Sequence, residues 1–215
     1  MTKSYFDEAA AGWDKEPMRV RLMKAVGEAI VREVAPARDM TVLDYGCGTG
    51  LVGLYLLPYV RSVTGADNSP GMLEVLNRKI AAGSLSNMKA VRLDLAQDPA
   101  PDNRYHMIVT SMVLHHIANP DRTLRAFYKM LLPGGILCLA DLDTEPGTFH
   151  TAEAAGSVHH HGFDREELKK RLAQIGFSEV KAVTAIEFSK PVEAGGEEQF
   201  SIFLVTAKRS RGEAC

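Results

Sequence analysis

Four glycines, Gly46, Gly48, Gly50 and Gly53, follow an apolar run ending at Asp44 in the stretch VLDYGCGTGLVG, residues 42–53. Glycine tolerates positive φ and lets a ligand approach the backbone. A strand that stops in such a loop therefore reads as a nucleotide-binding turn, with the next helix offering its N-terminal N–H groups. No lysine follows the glycines, which argues against a phosphate-cradling loop that needs one. The literal GxGxxG at Gly48, Gly50 and Gly53 would suit a dinucleotide, but its pyrophosphate would lie beside Asp44 with no nearby cation to offset the repulsion. A ligand carrying positive charge fits better.

Two more acids stand at the ends of apolar runs. Asp67, about 20 residues on, is placed to accept hydrogen bonds from ribose hydroxyls. Asp94 is placed to accept from an adenine amino group. With Asp44 they describe one crevice for a nucleoside that bears an ammonium group and no phosphate, which is the chemistry of S-adenosylmethionine.

The elements that must position these acids follow from the hydrophobic pattern. Strand-like runs at 41–45, 62–67, 88–94, 106–111 and 135–142 alternate with helical patterns at 51–60, 70–83 and 120–135. Such alternation predicts an α/β fold with a parallel sheet covered by helices on both faces. Pro70 and Pro120 mark helix starts, and Pro133-Gly134-Gly135 is expected to end a helix. Met18, Leu22, Val26, Ile30 and Val34 recur at helical spacing, predicting a capping helix over 17–34 ahead of the first strand. The last third reads as a polar, His-rich loop at 143–162, a helix between Asp164 and Gly176, and two strands joined as a hairpin.

Together these motifs resemble the class I S-adenosylmethionine-dependent methyltransferases, in particular the methyltransferase 11/UbiE-like small-molecule branch. The resemblance covers residues 40–142 through VLDYGCGTG, VTGADNSPGML, RLDLAQD, YHMIVTSMVLHHI and LLPGGILCLAD. It implies a Rossmann-like, doubly wound seven-stranded sheet of order 3-2-1-4-5-7-6 with strand 7 antiparallel. It also implies that Gly46, Cys47, Gly48 and Gly50 pass close to the methionine moiety and that Asp67 holds the ribose. Asn68 and Met72 would flank the adenine, Asp94 and Leu95 would bind its edge, and Ser111 and Met112 would floor the methyl donor. The opening SYFDEAAAGWDKE resembles a segment that closes over the cofactor in the same relatives, so Trp13 is expected at the site. Arg21 is assigned as a partner for the methionine carboxylate.

On the acceptor side, His115 and His116 follow the fourth strand, and His150 lies in the loop expected to cover the same mouth. A base is needed only where the acceptor must lose a proton. His159-His160-His161 lack a tetrahedral ligand spacing, and Asp141 and Asp143 are read as strand-end acids, so no metal is expected.

The remaining features bound the partners. The 215 residues carry a net charge of −2 with both signs interspersed, which predicts one domain and a small-molecule partner, with neither nucleic acid nor membrane as the main one. Three scattered cysteines and no apolar leader point to the cytoplasm. The domain is expected to comprise a lid and cap helix at 1–36, a cofactor core at 40–142, a substrate-side loop at 143–162 and a C-terminal helix and hairpin at 163–207, followed by a frayed basic tail ending at Cys215. The expected reaction moves a methyl group to O, N or C of a small acceptor, leaving S-adenosylhomocysteine. The alternatives are a non-catalytic S-adenosylmethionine-binding sensor or docking domain and an NAD-binding oxidoreductase. Oligomeric state is left open.

Overall fold

Successive side chains of a strand go to opposite faces, and the central strands use this to feed two separate cores. The computed structural model of the chain describes residues 4–193 and 195–210. Its strands are β1 (Thr41–Tyr45), β2 (Ser62–Asp67), β3 (Met88–Arg92), β4 (Tyr105–Ser111), β5 (Leu131–Leu142), β6 (Phe177–Pro191) and β7 (Glu197–Arg209). They form one sheet of order 3-2-1-4-5-7-6, as expected. β1 to β5 are parallel, and β7 runs antiparallel to β5 and β6.

The helices are α1 (Tyr5–Ala9), α2 (Pro17–Val34), α3 (Leu51–Leu56), α4 (Pro70–Ala82), α5 (Pro120–Met130), α6 (Ala152–Ala155) and α7 (Arg165–Ile175). Val42, Met107 and Val109 face one core with Leu22, Val26 and Ile30 of α2, Leu56 of α3 and Leu76 of α4. Leu43, Ile108 and Leu139 face the other with Leu124 and Phe127 of α5 and Leu168 and Leu172 of α7. Proline occupies the first turn of α2, α4 and α5, where its missing N–H costs nothing. Ser69, Asn119 and Asp164 cap α4, α5 and α7 through their side chains.

Three boundaries differ from the sequence reading. α5 ends at Met130, because Leu131 is already extended at ψ 145 and Pro133 disfavours helical geometry at the residue before it. Pro133-Gly134-Gly135 therefore lies within β5. Segment 143–162 is not entirely loop: it contains α6, and an isolated bridge joins Asp143 to Phe163 where the segment closes. β6 and β7 span 15 and 13 residues, extending the strand-like runs EVKAVTAIEF (179–188) and QFSIFLVTAKR (199–209). Phe188 and Phe200, on the paired strands near their turn, cluster with Phe149, whose ring centroid lies 6.2 and 5.2 Å from theirs. Cys215 and the end of the basic tail lie outside the described residues. Among the described residues no helix is long and apolar enough to cross a membrane.

Candidate active site

The glycine loop uses its own donors. The Gly46 and Cys47 N–H groups both donate to the Ala66 carbonyl (2.7 and 3.0 Å), and Gly50 N–H donates to Cys47 O (2.8 Å). Gly48 N–H donates to Asp67 Oδ2 (2.8 Å). Four amides that a pyrophosphate would need are thus turned into the fold, which adds a structural reason against the dinucleotide reading. Gly46 requires φ +67, and a Cβ there would stand 2.3 Å from a Val113 methyl.

Asp44 is recessed rather than at the rim. It is 2% exposed, and its Oδ2 accepts from Gly53 N–H (2.9 Å) in the first turn of α3. Gly50, at the N-cap of that helix, has no side chain to make such a bond, so Asp44 supplies it from across the turn. Burial pushes its carboxyl up to about 7 despite the Gly53 bond, and the nearby Asp67 charge adds to the rise. Asp67 and Asp94, each 9% exposed, stand at the edge itself. Asp67 also accepts from Ser69 N–H (2.9 Å), and burial raises its carboxyl. Asp94 accepts from Ala96 N–H (3.0 Å). Lys79, the cation close to this loop, is paired with Asp14 and donates to Thr49 O (2.8 Å). Among the described residues no salt bridge engages Asp67 or Asp94, whose carboxylates accept from backbone amides, so they fit a cationic nucleoside.

Other expected residues divide. Asn68 is exposed in the turn after β2, while Met72 is 2% exposed, its sulfur 3.8 Å from where a Cβ on Gly48 would stand. The Ser111 hydroxyl donates to Met23 Sδ (3.4 Å), and Met112 holds φ +57, a costly conformation for a residue with a Cβ. The Cys47 side chain is buried with its thiol pushed well up by desolvation, so it offers the site backbone only. Leu95 is buried, 1% exposed, and its N–H donates to the Tyr45 hydroxyl (3.1 Å). Arg21 lies exposed on α2, and Arg19 of the same helix stands 3.9 Å over the Trp13 ring.

The opening segment closes over the loop through two acids that the sequence reading passed over. Asp7 accepts from Ser69 Oγ (2.6 Å) and Gly71 N–H (3.0 Å), bonds that hold its carboxyl well below the usual range. Asp14 accepts from Thr49 Oγ1 (2.6 Å). Their signal was present in the YFD and WD of the opening stretch.

On the opposite side His115, His116 and His150 converge. His115 is fully buried, with Nδ1 2.6 Å from Asp141 Oδ1 and Nε2 3.2 Å from His150 Nε2. Asp141 also accepts from the Leu114, His115 and Leu142 amides (2.9, 3.3 and 2.8 Å). Burial alone would raise the Asp141 carboxyl, but its contacts with His115 and these amides bring it below its ordinary value. His116 Nδ1 lies 2.7 Å from Ser157 O, and Phe6 from the lid sits edge-on to its ring at 5.1 Å. Burial, with repulsion from His115, pushes His116 down to about 4 and His150 to about 3. The triplet at 159–161 does not join this cluster. The His159 and His160 amides donate to His115 O (2.9 and 3.1 Å), and His161 pairs with Glu145 (3.3 Å). Asp143 is bound by Arg165 of α7 (2.6 Å).

Comparison with known proteins shows the family. A methyltransferase domain model matches residues 17–182. An uncharacterized methyltransferase of Schizosaccharomyces pombe is 31% identical over 185 residues, 80% of this chain and 61% of that protein. A demethylmenaquinone methyltransferase of Clavibacter sepedonicus is 29% identical, over 66% of this chain and 58% of its own length. The matches thus span about three fifths of these relatives. Two solved structures share the fold: an S-adenosylmethionine-dependent methyltransferase of Aquifex aeolicus (TM-score 0.62, 20% identity, 85% of this chain and 88% of that one) and a phosphoethanolamine N-methyltransferase of Haemonchus contortus (TM-score 0.70, 14% identity, 96% and 60%). With the strand order, the loop and the domain match in agreement, the chain belongs to the class I S-adenosylmethionine-dependent methyltransferases.

Proposed function

We propose that the chain methylates a small-molecule acceptor admitted between the N-terminal lid and the His115–His116–His150 side of the crevice. The observation that carries this reading is the glycine loop with its amides turned inward beside the carboxylates Asp67 and Asp94, a surface suited to a cationic nucleoside. When bound, S-adenosylmethionine supplies a methyl group already activated on a sulfonium. The chain's part is alignment and exclusion of water. Asp67 accepts from the ribose and Asp94 from the adenine amino group, with Asn68 and Met72 beside the base. Asp44 holds the loop from below through Gly53, and Ser111 and Met112 form the floor. α1 and the turn behind it exclude water once Asp7 and Asp14 are engaged. His116 and His150 line the acceptor side of the crevice, backed by buried His115, which Asp141 orients. The demethylmenaquinone methyltransferase among the relatives favours a ring-bearing or quinone-like acceptor.

Titration calorimetry with S-adenosylhomocysteine tests the cofactor half. Binding should weaken about 10- to 100-fold in Asp67→Ala, as expected for a charged hydrogen bond worth about 1.5–3 kcal/mol, and NADH should give no heat. Tight NADH binding with no response to S-adenosylhomocysteine would overturn it. Turnover over a panel of phenols, quinones, amines and carboxylates tests the acceptor half, and strong cofactor binding without any turnover would favour a binding module instead.

A further inference from the structure

The three clustered histidines come from two segments 34 residues apart at their nearest, His116 and His150, and one nitrogen from each lies within 4.8 Å of the other two. Their surroundings fix which nitrogens carry protons. The Asp141 carboxylate can only accept, so the proton of His115 sits on Nδ1 and leaves a bare lone pair on Nε2. The Ser157 carbonyl also only accepts, so His116 is protonated on Nδ1 and its Nε2 lone pair is left over. The ring facing them, His150, has one N–H to give from Nε2 and cannot satisfy both lone pairs with it. One cation among the three rings would engage a nitrogen of each.

We propose that His115, His116 and His150 bind one divalent transition-metal ion of the zinc class. Three imidazoles with one further position open are a zinc-type ligand set. A metal-binding histidine ordinarily donates its other N–H to a carboxylate or a carbonyl, as His115 and His116 do here to Asp141 and Ser157. Ligands about 2.0–2.1 Å from a tetrahedral ion lie about 3.3 Å apart. The His115 and His150 nitrogens, at 3.2 Å, already have that separation.

The mounts are firm. Leu114 and His115 are pinned to Asp141 through their amides, and the His159 and His160 amides hold His115 O. His150 follows Phe149, which is seated among Phe188 and Phe200 and lies under the Lys190 ammonium at 4.4 Å. Phe6 and Phe149 lie edge-on to His116 and His150 at 5.1 and 4.9 Å, walling the cluster with apolar rings. The sequence expectation of no metal turned on the spacing of His159–His161, which are not the residues that converge.

The experiment needs neither an acceptor nor turnover. Protein made without a histidine tag is stripped with a chelator and titrated with zinc alone, then with cobalt(II). One ion per chain is expected, with the strong visible absorption of four-coordinate cobalt. His150→Ala and His116→Gln should each weaken zinc binding about 100-fold or more while S-adenosylhomocysteine affinity holds. His161→Ala, on the exposed side of the loop, should bind zinc as the parent does. Substoichiometric zinc in the parent protein, unchanged affinity in His150→Ala, or an equal loss in His161→Ala would each overturn the assignment.

Discussion

At Gly46 two demands coincide that no other residue meets: φ +67, and a Val113 methyl 2.3 Å from where a Cβ would stand. A left-handed residue with a Cβ costs about 1–2 kcal/mol, and forcing extra volume into a filled site typically costs about 1–3 kcal/mol more. Gly46→Ala should therefore lower stability by about 2–5 kcal/mol in urea denaturation. Adding Val113→Ala should recover the steric part and leave the backbone part. If the double variant proved no more stable than Gly46→Ala corrected for Val113→Ala alone, the contact with Val113 would not be a source of the cost. Gly50 raises the complementary problem of a helix start with no side chain to cap it, and the answer comes from Asp44, six residues back in the strand.

The N-terminal segment, proposed as a lid, is held by a few polar bonds rather than a broad apolar face. α1 has no buried residue, and Asp7 ties it to Ser69 and Gly71 at the start of α4. Asp7→Ala should free the segment, speeding amide hydrogen exchange over residues 5–15 without changing α7, and should weaken S-adenosylhomocysteine about 10-fold. Unchanged exchange would mean that Asp14 and the aromatic contacts hold the lid alone. The main elements were legible because their signals are local: apolar runs for β1, β2 and β4, Pro after Ser or Asn for α4 and α5, and a Gly stop for α7. What local pattern does not carry is which distant side chains meet. Asp141 and His115 are separated by 26 positions, and Tyr45 and the Leu95 amide by 50. The run at 159–161 drew attention by spacing alone, yet its amides serve as a brace for His115.

Over the whole molecule the net charge is −2, but acids gather around the glycine loop, and the deepest of them, Asp44, is expected to couple ligand binding to pH. Asp44 faces the Gly53 amide from α3, the Asp67 carboxylate from β2 and the neutral Cys47 thiol of its own loop. Its carboxyl stands at about 7 when folded against an ordinary 3.8. The native state then keeps a proton that the unfolded chain has released, so stability contributed by this group falls as pH rises from about 4 to about 7 and levels off above that. Asp44→Asn keeps an oxygen to accept from Gly53 and removes the titration. Its melting temperature relative to the parent protein should therefore rise across the same interval. A cation bound nearby reverses the effect of burial and draws the proton off. Titrating S-adenosylmethionine at pH 6.5 in buffers of different ionisation enthalpy should accordingly register a fraction of a proton released by the parent protein and markedly less by Asp44→Asn. Equal release from both would place the ligand's positive charge away from Asp44 and leave that residue purely as the anchor of α3.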